Sequence, residues 1–596
     1  MCGIVGYVGS RDARGLLLDG LRRVEYRGYD SCGIAIKTFN GLEVFRNVGF
    51  VERLEPKVPK IDGVQGIGHT RWATVGNPST MNAHPHVDCS GKIAIVHNGD
   101  ISNYFHLREQ MRDEGHEFSS ETDSEVVAHL IEKYHDGDLP AAVAKALKQV
   151  DGTYALLVIS SDSEVLVTAR RESPVVIGLG NGENIIASDV PALLGLTKKA
   201  AYLEDGDLAT VSSQEVNVWH NEMPVSRKVH RVTWSAGDLD KGIYDHYFLK
   251  EIHEQPRIIR AILADRVKHG EEFASRSVSI PGKPVDSLLF AGCGTAFHAA
   301  QFGAGFFSLL GAPRAFSAIA SEVTPRKFPG ENRWAILVSQ SGETADTIEL
   351  ARLAHEAGYS TIAVTNNPQS SLARVVDRIE DTQAGSEISV AASKTFLAQL
   401  TTLVLLGLEL YPPDSDVLGP LMEQLRLIPG KLEEVIALDR ELMRAAERIS
   451  PNASAFLIAK GSQIPVAMEG ALKLKEIAYI HAEAYPAGEL KHGPFALLGL
   501  DTPVIVLLSA EGSYSRLLNT IKEVKARGSP IVVITDSQDQ EVDALVDQVI
   551  LLPQTDSRLA PLLMSVALQI LAYYCALQRG CSIDRPRNLA KSVTVH

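Results

Sequence analysis

The strongest constraint on this fold is an internal repeat. Residues 335–366 read AILVSQSGETADTIELARLAHEAGYSTIAVTN, and residues 503–537 read PVIVLLSAEGSYSRLLNTIKEVKARGSPIVVITDS. Each is an apolar β-branched run, a Ser-containing turn, a helical segment, a glycine and a second apolar run. Ser339 and Ser509 lie 170 positions apart, as do Gly358 and Gly528. Upstream, LLFAGCGTAF (288–297) parallels FLIAKGSQIP (456–465). Strand alternating with helix predicts parallel βαβ layers, and the duplication predicts two tandem copies of one α/β domain.

The chain is 596 residues long, room for roughly four domains. Its first 230 residues follow another pattern. Apolar runs at 4–8, 33–37, 93–97, 154–159 and 164–169 are bounded by Gly, Asn and Asp, which predicts a β-rich domain. Two helices are expected there. One is residues 123–134, capped by Ser124 or Thr122. Residues 235–247, polar and aromatic, read as an interdomain connection. The expected boundaries are 1–238, a linker at 239–280, the two repeats at 281–420 and 450–582, and a tail at 583–596.

Composition narrows the partners. Lys+Arg number 58 against 73 Asp+Glu, a net charge of −15, which argues against nucleic-acid or anionic-membrane partners. Six cysteines form no CxxC pair, as in a reducing compartment. His84 and His86 make only an HPH pair, so no metal and no organic cofactor are expected. The apolar stretch 396–410 carries Gln399, Thr401, Thr402 and Glu409 and reads as a core helix rather than a membrane span. No signal peptide is apparent, and a soluble cytoplasmic protein is expected.

Two groups of residues carry candidate chemistry. Cys2 follows Met1, and removal of that Met would set the thiol beside a free α-amine, whose reference pKa near 7.7–8.0 suits a general base. The alternative is a buried apolar cysteine. Arg71, in GHTRWATVG, suits a carboxylate. Asn98-Gly99 offers an amide and an N–H to an oxyanion, or is simply a turn. Asp123 suits an ammonium group, or forms a surface ion pair. Jointly these would grip glutamine. In the second half, Ser339-Gln340-Ser341-Gly342-Glu343-Thr344 joins a strand to a helix. It is either an anion cradle at a helix N-terminus or an ordinary cap. No Lys-containing P-loop is present. Lys473 and Glu476 share a helix face and, with His492, suit proton transfer on a sugar. The alternative is a solvated Lys–Glu pair.

The motifs MCGIVGY, EYRGYDS, GHTRWAT, NAHPH, VHNG and SETDSE resemble the class II glutamine amidotransferases, the N-terminal-nucleophile glutaminases, over the first 240 residues. That resemblance implies an αββα layer fold. It implies Cys2 as nucleophile, Asn98 and Gly99 as oxyanion hole, and Arg71, Trp72, Thr74, His84, Gly99 and Asp123 around glutamine. Trp72 resembles a residue that gates ammonia passage; otherwise it is core packing. Val75 stands where the sugar-phosphate branch usually carries His.

CGT (293–295), SQSGETADT, EGALKLKE, AGELKHGP and PRNLAKSVTV resemble a pair of sugar isomerase domains. Together the motifs resemble the family that joins both parts and makes an amino sugar phosphate. That resemblance implies glutamine and fructose 6-phosphate as substrates, giving glutamate and glucosamine 6-phosphate. It implies phosphate contacts from Thr295, Ser339, Gln340, Ser341 and Thr344, with Val390, Ala590 and Lys473 lining the sugar pocket. It implies Lys591 as Schiff-base partner, Glu476 as proton shuttle and the tail closing the site. It implies ring opening by His492 from a neighbouring subunit, hence a homodimer. Ala296 replaces a frequent Ser. The rivals are a related phosphosugar deglycase or aminotransferase, and a non-catalytic sugar-phosphate sensor.

Overall fold

The computed structural model describes residues 2–232, 240–267, 285–323, 330–509 and 514–592. The chain divides into two compact units, residues 1–240 with 590–596, and residues 241–589.

The first unit is built on two antiparallel sheets. One runs Val229–Arg231, Lys199–Tyr202, Val176–Leu179, Asn184–Ala187, Gly3–Val8, Gln65–Arg71, Ser31–Thr38, Gly41–Val48. The other runs Met223–Val225, Val216–His220, Asp207–Val211, Leu166–Arg171, Gly152–Ser160, Ile93–Ile101, His86–Val87. Side-chain alternation decides the layering. On Gly3–Val8, Ile4 and Val8 face Ala94, Val96 and Leu157 of the other sheet. Val5 and Tyr7 face Leu17 and Leu21 of the helix Ala13–Val24. On Ile93–Ile101, Ile93 and Ile95 pack against Val126, Leu130 and Ile131 of the helix Glu125–Tyr134. The result is the expected αββα stack.

Two local expectations change. This unit has four helices of nine or more residues among those described: Ala13–Val24, Tyr104–Asp113, Glu125–Tyr134 and Leu139–Leu147. Gly15 and Gly20 weaken the helical signal of the first, yet burial of Leu17, Leu18 and Leu21 outweighs propensity. The helix Glu125–Tyr134 has no side-chain cap. Ser124 Oγ lies instead 2.8 Å from His97 Nδ1 and donates to Asp123 Oδ1 at 3.2 Å.

The second unit contains two five-stranded parallel sheets. The first runs Ala315–Ile319, Ser287–Gly292, Arg333–Ser339, Ser360–Thr365, Arg378–Asp381. The second runs His481–Pro486, Ser454–Ala459, Val504–Leu508, Ile531–Thr535, Gln548–Leu551. Both have the chain order 2-1-3-4-5, so the repeat extends to topology. In such a sheet the strand order reverses between strands 1 and 3, and ligands sit beyond the carboxyl ends there. In the first copy those ends lead into Thr295 and into Ser339–Thr344.

The helices Lys394–Leu410 and Ala560–Gln578 lie in one apolar core. The second is long and apolar enough to cross a membrane, but 89% of that stretch is buried inside the protein. Within the expected linker, Tyr247–Arg266 is a helix with Phe248, Ile252 and Ile259 in the same core. The Asp584 carboxylate accepts its first N–H groups, from Tyr247 and Phe248, at 2.9 Å each. Residues 235–239 of the expected connection, and residues 239 and 268–280 of the expected linker, lie outside the described residues.

Candidate active site

Cys2 opens the strand Gly3–Val8, and Gly3 pairs with Thr70 on the neighbouring strand. That register brings Cys2 to Trp72. The sulfur accepts the Trp72 N–H at 3.2 Å, and the thiol lies 3.5 Å from the Trp72 carbonyl. Burial pushes the thiol pKa up. The positive chain terminus, the Trp72 N–H and Arg71 oppose that shift. A nearby base is therefore needed to form the thiolate.

Asn98 comes from the opposite sheet and donates through Nδ2 to the Cys2 carbonyl at 2.8 Å. His69 Nε2 is 3.0 Å from both Asn98 Oδ1 and the His97 carbonyl. Both partners are acceptors, so Nε2 carries the proton. Burial brings the His69 pKa down to about 3, so the ring is neutral. His69 thereby fixes the Asn98 amide, whose second N–H remains for an oxyanion. Gly99 follows at φ +137°, and a Cβ there would meet the Thr153 carbonyl oxygen at 2.0 Å. Only glycine fits.

Arg71 is buried. Its Nη2 donates to the carbonyls of Val75 and Gly76, the latter at 3.2 Å. Its Nη1 is buried without a hydrogen-bond partner, the state of a guanidinium arranged for a carboxylate. Asp123 is buried and accepts the Ile101 N–H at 2.9 Å. Thr74 is exposed and Trp72 half-buried. His84 is fully buried, with its ring 4.1 Å from His69 and 4.3 Å from His86. It is thus placed behind Asn98, through His69, and burial holds it well below its ordinary pKa.

In the second unit, Ser339 Oγ accepts the Gly342 N–H at 3.1 Å and lies 3.2 Å from Thr344 Oγ1. Ser341 Oγ accepts the Glu343 N–H at 3.1 Å. Gly342 has φ +66°, and a Cβ would approach Ser370 Oγ to 2.0 Å. The Glu343 carboxylate accepts from the Ser371 N–H and hydroxyl at 2.9 and 2.7 Å. The backbone of Gln340 is pinned by the Asn366 N–H, which its carbonyl accepts at 3.2 Å. Thr344 precedes the helix Ala345–Glu356 and makes no side-chain cap to it. The turn thus runs straight into a helix N-terminus, whose dipole favours an anion.

Thr295 opens the helix on the other side of the switch point. Its hydroxyl donates to Glu469 Oε1 at 3.0 Å and accepts from Lys473 Nζ at 3.3 Å. Lys473 is fully buried, 3.1 Å from Glu469 Oε1 and 2.5 Å from Glu476 Oε2. His298 Nδ1 completes the cluster, 2.7 Å from Glu469 Oε2. The solvated-pair reading of Lys473 and Glu476 is thus overturned. Burial would lower the Lys473 pKa, but Glu469 and Glu476 hold it above the ordinary value. In the second copy the corresponding turns are tied together, Gln463 Nε2 donating to Ser509 Oγ at 2.6 Å.

Val390 is buried, and its N–H donates to the Asp584 carbonyl at 3.0 Å. His492 is exposed on the short turn Glu489–His492. Ala590 and Lys591 group with the first unit.

Sequence reasoning missed His69, His298 and Glu469. Glu469 carried a signal, standing four residues before Lys473 on one helix. No short metal motif marks Cys89, His116, His129 and Glu132, yet folding gathers them in the first unit.

A glutamine amidotransferase domain model matches residues 60–238, and a SIS domain model matches residues 283–408 and 448–579. Glutamine–fructose-6-phosphate aminotransferases (isomerising) of Methanosarcina acetivorans and Thermus thermophilus are 42% and 43% identical to this chain, each aligned over 100% of both chains. The C-terminal domain of glucosamine-fructose-6-phosphate aminotransferase from Francisella tularensis is 32% identical, with a TM-score of 0.55. That match covers 58% of this chain and 100% of the solved one.

Proposed function

The chain belongs to the isomerising glutamine–fructose-6-phosphate aminotransferases, and from that premise we propose how its residues divide the reaction. The enzyme converts fructose 6-phosphate and glutamine to glucosamine 6-phosphate and glutamate, the entry step to hexosamines. Cys2, freed of Met1, attacks the glutamine side-chain carbonyl, and its own α-amine takes the thiol proton. Asn98 Nδ2 and the Gly99 N–H hold the tetrahedral oxyanion. Arg71 takes the glutamine carboxylate and Asp123 its ammonium, with Trp72 and Thr74 around them and His84 supporting from behind Asn98. Ammonia leaves with the transferred proton, and water hydrolyses the thioester to glutamate.

In the second half the phosphate lies against Thr295, Ser339, Gln340, Ser341 and Thr344, and Lys473, Val390 and Ala590 line the sugar. His492 of a partner subunit opens the ring, which makes the working enzyme a homodimer. The Lys591 amine condenses with the C2 carbonyl and releases water. Ammonia then displaces Lys591, and Glu476 moves a proton from C1 to C2. The proposed setting is the cytoplasm.

This division rests on one observation: a chain matched end to end by its relatives holds both the Cys2–Asn98 cluster and the buried Lys473–Glu476 pair. The test is amino-sugar formation by wild type, Cys2→Ala and Lys591→Ala, with glutamine or ammonium as donor. Cys2→Ala is expected to lose glutamine-dependent synthesis and keep the ammonium-dependent reaction. Lys591→Ala is expected to lose both. Wild-type synthesis by either variant with glutamine would refute the assignment.

A further inference from the structure

We propose that Cys89, His116, His129 and Glu132 form a four-coordinate site for a zinc-type divalent cation, separate from both reaction sites. The four donor atoms lie within 4.8 Å of one another. Cys89 Sγ is 3.5 Å from His129 Nδ1 and 3.7 Å from His116 Nδ1. Glu132 Oε2 is 3.0 Å from His116 Nδ1 and 3.3 Å from His129 Nδ1. A tetrahedral zinc ion with bonds of about 2.3 Å to sulfur and about 2.0–2.1 Å to nitrogen and oxygen sets its donors about 3.3–3.6 Å apart. Four edges of that tetrahedron are therefore present within a few tenths of an ångström.

The surroundings match a ligand shell. His129 and Glu132 are three residues apart on the helix Glu125–Tyr134 and point to one side. His129 is buried against Phe118, ring centroids 4.5 Å apart. Its other nitrogen, Nε2, is buried without a hydrogen-bond partner, and Glu125 Oε1 stands 4.0 Å away. That carboxylate occupies the position of an outer partner to a metal-bound imidazole. It is fixed by the N–H and hydroxyl groups of Ser119 and Ser120 at 2.7–2.8 Å. Cys89 Sγ accepts the Glu117 N–H at 3.4 Å, as a metal-bound thiolate does, while Cys89 itself is exposed and gives an ion access.

The donor set selects the ion. One thiolate, two imidazoles and one carboxylate favour zinc over magnesium or calcium, which take all-oxygen shells. All four ligands come from the protein, so the site is structural and leaves no position for a substrate. The ion would join three segments: the turn between His86–Val87 and Ile93–Ile101, the loop after Tyr104–Asp113, and the helix that begins just after Asp123. It would thereby brace Asp123 and the His84–His86 stretch. Binding displaces the thiol proton to solvent.

The test uses the full-length enzyme, stripped with a chelator, exposed to Zn2+ and freed of excess by gel filtration. Wild type and Cys2→Ala are expected to retain one equivalent per chain, and Cys89→Ser and Glu132→Gln to lose it. The Co2+ form should show a thiolate charge-transfer band and strong visible bands of four-coordinate cobalt, both absent from Cys89→Ser. Zinc should raise the melting temperature of wild type and not that of Cys89→Ser. Retained glutaminase activity reports that the Cys89→Ser protein is folded, since Cys89 lies on an exposed turn. Wild-type protein that emerges without zinc overturns the proposal. So does Cys89→Ser protein that holds zinc like wild type.

Discussion

Glu469→Gln tests whether the buried charge cluster organises the sugar half. Glu469 accepts three hydrogen bonds, from Thr295, Lys473 and His298 at 3.0, 3.1 and 2.7 Å. Glutamine has the same shape, but its one oxygen can keep only the Thr295 and Lys473 side, as a neutral acceptor. Its NH2 then faces His298 Nδ1, which can accept only after the ring changes tautomer, so the charge-assisted bond is lost. Hydrogen bonds to charged groups contribute about 1.5–3 kcal/mol each, and breaking a buried ion pair costs about 3–5 kcal/mol. Glu476 still neutralises Lys473 at 2.5 Å, so the lower end applies, about 3 kcal/mol. Hydrogen exchange of the helix Ile464–Ala478 should then quicken about a hundredfold, while the strand Gly3–Val8 stays unchanged. The pH dependence has a definite sign. Burial raises the Glu469 pKa, but Lys473 and His298 outweigh it and hold it below 4.5. Its contribution is thus full above 4.5 and is lost as pH falls through the lowered value. The gap between wild type and variant should narrow in acid. Exchange that changes less than about threefold at neutral pH would refute the reasoning.

Gly99→Ala puts a Cβ against the Thr153 carbonyl at a left-handed φ. Displacing an oxyanion donor should lower glutamate release by about 10²–10³ in kcat, with ammonium-dependent synthesis retained, as parallel assays of both products would show. Acid should weaken the first unit. Burial lowers the pKa of His69 to about 3, and those of His84 and His86 well below 6.5. The unfolded chain therefore binds protons that the folded chain does not, and stability falls as pH drops below 6.5. His69 alone accounts for about 2 kcal/mol at pH 5. Thermal unfolding of the first unit from pH 7 to 5 should show this loss, and His69→Gln should make it shallower.

Local pattern alone determined a good deal of this protein. The strand-turn-helix repeat, the alternating runs of the first 230 residues and the buried 396–410 helix are short-range signals, written in consecutive residues. The turn Ser339–Thr344 was legible for the same reason, because strand, hydroxyls and helix follow one another. Contacts across long separations were decided only by the fold. Glu469 meets Thr295 across 174 positions, and His69 meets Asn98 across the two sheets. Spacing left Lys473 and Glu476 open between a site and a solvated pair, because it reports a shared helix face but not what packs on it. Cys89, His116 and His129 stand 27 and 13 positions apart, unlike any short metal motif. Their meeting needs a turn, a loop and a helix to converge. Burial, which makes a charge or an imidazole matter, belongs to the packed structure, because it depends on every element around a side chain at once.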